Sequence, residues 1–331
     1  MTKFAIGKTA KFLFLSAAIL FTAAAVCAKP ITLKFGHCSS AGETDPYQLT
    51  AVLFQKALEE VAPGEFEVQI FPNRQLGDEK EMLEGLSFGT LDMAAITNSP
   101  ISRISLPFQI NDMPFIYENE AHAYKVLDGP VGEKLLQTLA AKNILGLGFA
   151  EGGFRHMINN VRPIGMPDDA AGIKWRVMPN PVYIEMFRSL GGNAVPMPWG
   201  ECFTALQQGA IDGLEIPVAV IFNNGYYEVA KYCSLTNHTY SALGVMISKR
   251  KFDKLTPQQQ EAIRKASRKA IDAERLQNVK NVEVSVGKLK EKGMAVNPVK
   301  DFKAFQKKVT KVYDEFRPNI GDEIFNQVIK P

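Results

Sequence analysis

The sequence has little of what the common enzyme classes need. It contains no Gly-x-Gly-x-x-Gly after a strand, no P-loop, no Gly-x-Ser-x-Gly and no His-Glu-x-x-His. Its four histidines, His37, His122, His156 and His238, lie far apart and suggest neither a metal cluster nor a Cys-His nucleophile pair. His37 and Cys38 are neighbours, but adjacent strand residues face opposite ways. Cysteine is scarce: outside the first 28 residues only Cys38, Cys202 and Cys233 remain. An odd number without short spacing is neither a disulfide framework nor a zinc pattern. Export would permit a Cys202–Cys233 bridge, while small buried thiols are the simpler expectation. Catalysis, a cofactor and a bound metal are therefore not expected.

Net charge is also lacking. Lys3, Lys8 and Lys11 account for the whole excess of 38 basic over 35 acidic residues, so the chain after residue 28 is formally neutral. That argues against a nucleic-acid or anionic-membrane partner, which would favour a basic surface. The lysines precede an apolar run, Phe12 to Val26, and small residues around Ala28, the pattern of a secretory signal peptide over residues 1–28. The run falls short of the roughly 20 residues a membrane span needs, and no later segment is apolar for longer.

What is present is α/β grammar. Pro30–Gly36 alternates like a first strand, then a polar loop with His37, Cys38 and Ser39 leads to a helix from about Pro46 to Val61. A strand is expected at Glu67–Phe71, a helix from Asp78 to Gly89, a strand at Met93–Thr97 and a loop at Asn98–Ser105. Further on, Glu120–Leu127 and Gly132–Lys142 read as helices and Ile144–Ala150 as a strand. Gly152-Gly153 reads as a hinge, since two glycines allow large backbone changes.

The richest stretch runs from Gly172 to Pro217. Ile173, Trp175 and Val177 alternate with Lys174 and Arg176, so a strand here turns Arg176 away from the core, where it needs an anion or water. Asn180-Pro181 starts a helix, Gly191-Gly192 ends it, a strand spans Ala194–Met197, and a second helix runs from about Gly200 to Gly209. Asp212-Gly213 reads as a tight turn. Glu81–Met93 aligns with Glu201–Gly213 at an offset of 120, with Glu81/Glu201, Leu86/Leu206, Gly89/Gly209 and Asp92/Asp212 identical. Two equivalent helix-strand units suggest two lobes of similar architecture. Tyr232–His238 and Leu243–Ser248 read as separate strands. One long helix is expected from Thr256-Pro257 to about Lys292, then a closing helix over Phe302–Phe316 and a short one after Gly321.

Gly172-Ile-Lys-Trp-Arg-Val-Met-Pro179, Pro196-Met-Pro-Trp199, Ala205-Leu-Gln207, Ala210-Ile-Asp-Gly-Leu-Glu-Ile-Pro217 and Leu235-Thr-Asn-His238 resemble the extracytoplasmic solute receptors of TRAP transporters, DctP type. Leu76-Gly-Asp78 and Phe154-Arg155 fit the same family. The resemblance implies a two-lobed α/β periplasmic binding protein fold, with a long helix joining the lobes and a ligand cleft between them. The implied parts are a signal peptide (1–28), lobe I (29–152 plus 242–281) and lobe II (153–241 plus 282–331). It further implies a periplasmic monomer that closes on a small organic acid and hands it to TRAP membrane permease subunits driven by an ion gradient. Arg176 would clamp the ligand carboxylate, with Arg155 as a second cation and Trp199 as a flat wall. Alternatively Arg176 pairs with a protein carboxylate such as Glu215, and Trp199 is plain core.

Where sialic-acid receptors of the family carry polar contacts, this chain has Cys38, Thr97 and Ile216. Hydroxyls buried there would go unpaired at about 1–3 kcal/mol each, which disfavours sialic acid. An acid with an apolar or aromatic body fits better. Uronates and other sugar acids stay open, because Thr97, Glu215, Asn223 and Asn237 could bond hydroxyls. Two other functions remain to be weighed: a periplasmic enzyme on the same scaffold, and a binding protein reporting to a sensor kinase.

Overall fold

The computed structural model describes residues 1–2 and 29–329, so the expected signal peptide lies almost wholly outside the described residues. The chain begins with β1 (Ile31–Gly36), α1 (Pro46–Val61), β2 (Phe66–Phe71), α2 (Glu79–Phe88), β3 (Met93–Thr97) and α3 (Asn98–Ile104). Helices α4 (Glu120–Leu127) and α5 (Pro130–Thr138) lead to β4 (Ile144–Asn159). A second unit follows: β5 (Lys174–Val177), α6 (Pro181–Ser189), β6 (Asn193–Pro196), α7 (Trp199–Gln207), β7 (Gly213–Pro217) and α8 (Val218–Asn223). Then come β8 (Tyr232–Ser248), α9 (Lys249–Phe252), α10 (Pro257–Glu291), β9 (Ala295–Pro298), α11 (Phe302–Lys308), α12 (Thr310–Ile320) and α13 (Asp322–Ile329).

Helix starts are where side-chain chemistry places them. Asp45 accepts from Tyr47 N at 3.0 Å to cap α1, and Asn180 accepts from Val182 N at 2.8 Å to cap α6. Thr256 and Gln259 form a reciprocal capping box on α10. The α2 stop is Gly89 at φ +80, a left-handed position that glycine adopts without a Cβ penalty.

The sheet order is β2-β1-β3-β8-β4-β7-β5-β6, with β9 added to β8. In β2-β1-β3 and in β6-β5-β7 the middle strand pairs in parallel with both neighbours. The internal echo is therefore a structural repeat, and its paired aspartates do the same work: Asp92 accepts from Lys34 N at 2.9 Å and Asp212 from Lys174 N at 2.8 Å.

Between the repeats, β4 and β8 run antiparallel through the whole molecule. Here the structure departs from the short strands expected at Ile144–Ala150, Tyr232–His238 and Leu243–Ser248. Each long strand is continuous because bulges absorb the change of direction. One register shift falls between Glu151 and Gly153, with Gly153 at φ +92, opposite Ser241 and Ala242. The expected glycine hinge is thus a bulge inside a strand. Asn98–Ser105, expected as loop, forms α3, and the closing helix is divided into α11 and α12. Gly213 opens β7, where a Cβ would lie 2.5 Å from the Ile158 carbonyl oxygen and 2.7 Å from the Trp175 ring.

Helix α10 packs on α1 and β4, burying Ile263, Ala266, Ala270 and Ile271. Farther along it buries Glu274, Asn278, Asn281 and Ser285, where it passes the β4 bulge. Asn278 donates to Glu151 Oε1 at 3.1 Å, and Glu274 accepts from Glu151 N at 2.8 Å. Cys38, Cys202 and Cys233 are free and buried, and no bridge joins Cys202 to Cys233. Among the described residues no helix is long and apolar enough to cross a membrane.

Candidate functional site

In a parallel α/β unit the strand ends and helix starts converge at the carboxyl edge, where ligands sit. Here two such edges face one another. From the first repeat come Cys38 and Ser39 after β1, Tyr47 on α1, Glu79 at the start of α2 and Thr97 at the end of β3. From the second come Arg176 and Met178 on and after β5, Trp199 at the start of α7, and Ile216 and Pro217 on β7. Arg155 of β4 and Val220 of α8 complete the lining of a 30 Å³ cavity. Arg176, Met178, Trp199 and Glu79 also line a groove of about 520 Å³, so the groove adjoins the inner cavity.

The two arginines differ in what holds them. Arg155 forms a bidentate ion pair with Glu215: its Nε meets Oε2, its Nη2 meets Oε1 at 2.9 Å, and Nη2 also donates to the Glu215 carbonyl at 2.7 Å. His238 Nε2 stands 3.3 Å from the same carboxylate. Burial opposes ionisation of Glu215, but the Arg155 guanidinium outweighs it and holds this carboxyl below its usual range. Glu215 is fully buried and stands behind Arg155, outside the cavity lining. The pairing of Arg176 with Glu215 weighed from sequence is therefore not formed.

Arg176 is equally enclosed, at 2 % exposure, yet has no carboxylate within ion-pair distance among the described residues. Its Nε donates to the Met197 carbonyl at 2.9 Å, which fixes the plane of the guanidinium. A buried cation without a countercharge costs several kcal/mol, on the order of its residual desolvation penalty.

Trp199 is half-buried and packs at 5.4 Å against Tyr226. Thr97 lines the cavity with its hydroxyl 3.4 Å from Ser241 Oγ. Cys38 lines it too, and burial raises its thiol well above the usual range. Asn237 lies elsewhere: exposed, at φ +45 in β8, and outside the lining. Asn223 also lies outside the lining, its Oδ1 accepting from Thr44 Oγ1 at 3.1 Å, so of the nine residues weighed as ligand contacts Arg176, Arg155, Trp199, Ile216, Cys38 and Thr97 meet at this cavity.

Sequence reasoning missed Glu79 as a lining residue, reading only the helix start beside it. Its Oε1 accepts from Thr97 N at 2.8 Å, and burial pushes its carboxyl up to about 7 against that hydrogen bond. It was also silent on bonds crossing between the repeats. Asn180 Nδ2 donates to Ser102 Oγ at 2.8 Å and to Asp112 at 2.7 Å. Asn224 Nδ2 donates to Ser39 Oγ at 2.9 Å, and Gly200 N donates to Asp78 at 3.0 Å. The asparagines and Asp78 carry signals of their own only as helix caps, so nothing in one dimension reveals the partner.

Residues 35–319 match the family profile of DctP, described as bacterial extracellular solute-binding protein, family 7. The chain is 34% identical over 293 residues to the 2,3-diketo-L-gulonate-binding periplasmic protein YiaO of Escherichia coli, covering 88% of each. It superposes with a TM-score of 0.87 and 35% identity on a TRAP periplasmic solute-binding protein from Polaromonas bound to D-erythronate, covering 91% of this chain and 98% of that one. A sugar acid binding protein from Advenella mimigardefordensis in complex with galactonate gives a TM-score of 0.87 at 32% identity, with coverage of 91% and 97%.

Proposed function

Because the chain belongs to the DctP family of bacterial extracellular solute-binding proteins, a periplasmic family of TRAP receptors for small organic acids, we propose that Arg176 is its carboxylate clamp. The observation that carries this reading is the contrast between two enclosed arginines at one cavity: Arg155 is neutralised by Glu215, whereas Arg176 is not. A guanidinium presents parallel N–H donors that match a carboxylate, and each charge-assisted bond contributes about 1.5–3 kcal/mol. With Nε held by Met197, the outer nitrogens are left for the ligand.

The body of the ligand lies against Trp199, Met178, Ile216 and Val220, while Glu79 offers an acceptor for one hydroxyl. Apolar contact therefore outweighs polar contact, and a sparsely hydroxylated acid is the ligand we favour. A fully hydroxylated sugar acid is the second reading, favoured by the erythronate and galactonate bound to similar proteins. The loaded receptor then delivers its acid to TRAP permease subunits. The two repeats move as lobes about the Glu151–Gly153 bulge, with boundaries near residues 152/153, 241/242 and 281/282, an arrangement supported by the register break opposite Ser241 and Ala242. Export through the N-terminal segment completes the reading.

A panel of aliphatic, aromatic, aldonic and uronic acids, screened by thermal shift and followed by calorimetry, tests it. A matching acid at about 100 times its Kd should add about 2.7 kcal/mol of stability. If no carboxylate binds, or neutral analogues bind equally well, the clamp reading fails.

A further inference from the structure

The inner cavity ends at Arg176 and Trp199, but the space does not. The 520 Å³ groove beyond them falls within the ordinary range of small-molecule sites, about 300–1,000 Å³. Its walls include Leu83 and Phe88 of α2, Ile104 of α3 and Ile144 of β4, so most of its surface is apolar. Two cations, Arg103 and Lys142, also line it. Both are exposed, and neither has a carboxylate within ion-pair distance among the described residues. The acids of the groove are largely engaged. Glu84 pairs with Lys80 at 3.9 Å, Asp78 accepts from Glu79 N at 2.8 Å and from Gly200 N at 3.0 Å, and Glu79 is bonded by Thr97 N. Backbone donors do not neutralise Asp78, so Asp78 and Glu81, at the start of α2, remain in the groove beside the two unpaired cations on α3 and before β4.

We infer that this groove is a second subsite, which takes an apolar spacer along its walls and a second anionic group at Arg103 and Lys142. The preferred ligand is then an elongated diacid: one carboxylate on Arg176, a sparsely hydroxylated middle, and a distal carboxylate beside the two cations. This rests on the clamp reading and deepens it. The subsite adjoins the clamp, because Arg176, Met178, Trp199 and Glu79 border both spaces. Its two cations belong to α3 and to the residues just before β4, on the side opposite the repeat that carries Arg176. A ligand spanning both would therefore bridge the two repeats.

The test compares acids that differ only at the distal end: adipate against hexanoate, and azelate against nonanoate, by calorimetry at low and high salt. At least one diacid should bind about threefold to tenfold more tightly than its monoacid, the range expected for one or two exposed ion pairs, and salt should shrink that ratio. In the double variant Arg103→Gln, Lys142→Gln the ratio should fall to about one. Equal binding of each pair by the unaltered protein, or a ratio that survives the double substitution, overturns the subsite. If compact hydroxy acids bind while none of the chain acids does, the subsite is overturned and the Arg176 clamp stands. If no acid of either kind binds, both fall.

Discussion

The sharpest test of the site sets its two arginines against each other. Arg155 and Arg176 line the same cavity at 3 % and 2 % exposure, so composition and burial do not distinguish them. Their partners do. Replacing Arg155 with Met strands Glu215, which is fully buried and keeps only His238 as a neighbour of opposite potential charge. Breaking a buried pair from one side costs about 3–5 kcal/mol, a large share of a typical folding free energy. Replacing Arg176 with Met strands no charge: it frees the half-buried Met197 carbonyl of one donor and removes a charge that has no protein countercharge. The ligand-free Arg176→Met protein should therefore be no less stable than the parent in urea. Its affinity for the acid should collapse, and Arg176→Lys should lose about 10- to 150-fold, because a point charge cannot replace the fork. Urea unfolding without ligand and calorimetry with it separate the two effects. Undiminished affinity in Arg176→Lys would refute the assignment, as would an Arg155→Met protein that stays stable but no longer binds.

Other perturbations follow from the same geometry. Burial pushes Glu79 and Asp112 up to about 7 and Asp45 up to about 6. The folded state thus holds protons that the unfolded chain releases near pH 4, while His37, His156 and His238, kept neutral by burial, work the other way up to their ordinary range near pH 6.5, so ligand-free stability should fall between about pH 6.5 and about pH 7.5. Asp128 and Glu215, shifted the other way, act only as pH drops below the usual carboxylate range. A denaturation midpoint that rises over this window contradicts the account, and Asp112→Asn should flatten it. Asn224→Ala removes a bond between the repeats at 2.9 Å and should weaken ligand affinity about twofold to tenfold while enlarging the scattering radius of the liganded protein. Gly213→Ala, forced against the Ile158 carbonyl and the Trp175 ring, should destabilise by about 1–3 kcal/mol, read from its urea midpoint.

Much of this was legible in the chain. Arg176 alternates with Ile173, Trp175 and Val177, and that period alone turns it from the core. Capping residues located α2 and α6 within a residue or two, since caps act over four positions of chain. Cys38 was legible because the loop after a strand of a parallel sheet faces ligands, and Thr97 through the family resemblance. Glu79 was not, because a glutamate in the first turn of a helix ordinarily serves the helix dipole, and only its packing against Thr97 and Cys38 across the sheet edge encloses it.

The sequence by itself determined the α/β grammar, an echo at an offset of 120 that suggests two similar units, the family resemblance and the two arginines worth asking about, all of which depend on local periodicity or short motifs. The tertiary structure decided the rest. Which arginine is neutralised depends on Glu215, 60 residues from Arg155 and nearer in sequence to Arg176. Whether Gly152-Gly153 breaks a strand or bends it depends on β8 lying alongside to accept the bulge. Pairing across a sheet joins distant residues at no cost visible in the chain. An arginine in a strand therefore announces that it needs an anion, and only the folded sheet shows whether the protein supplies one or leaves that place to a ligand.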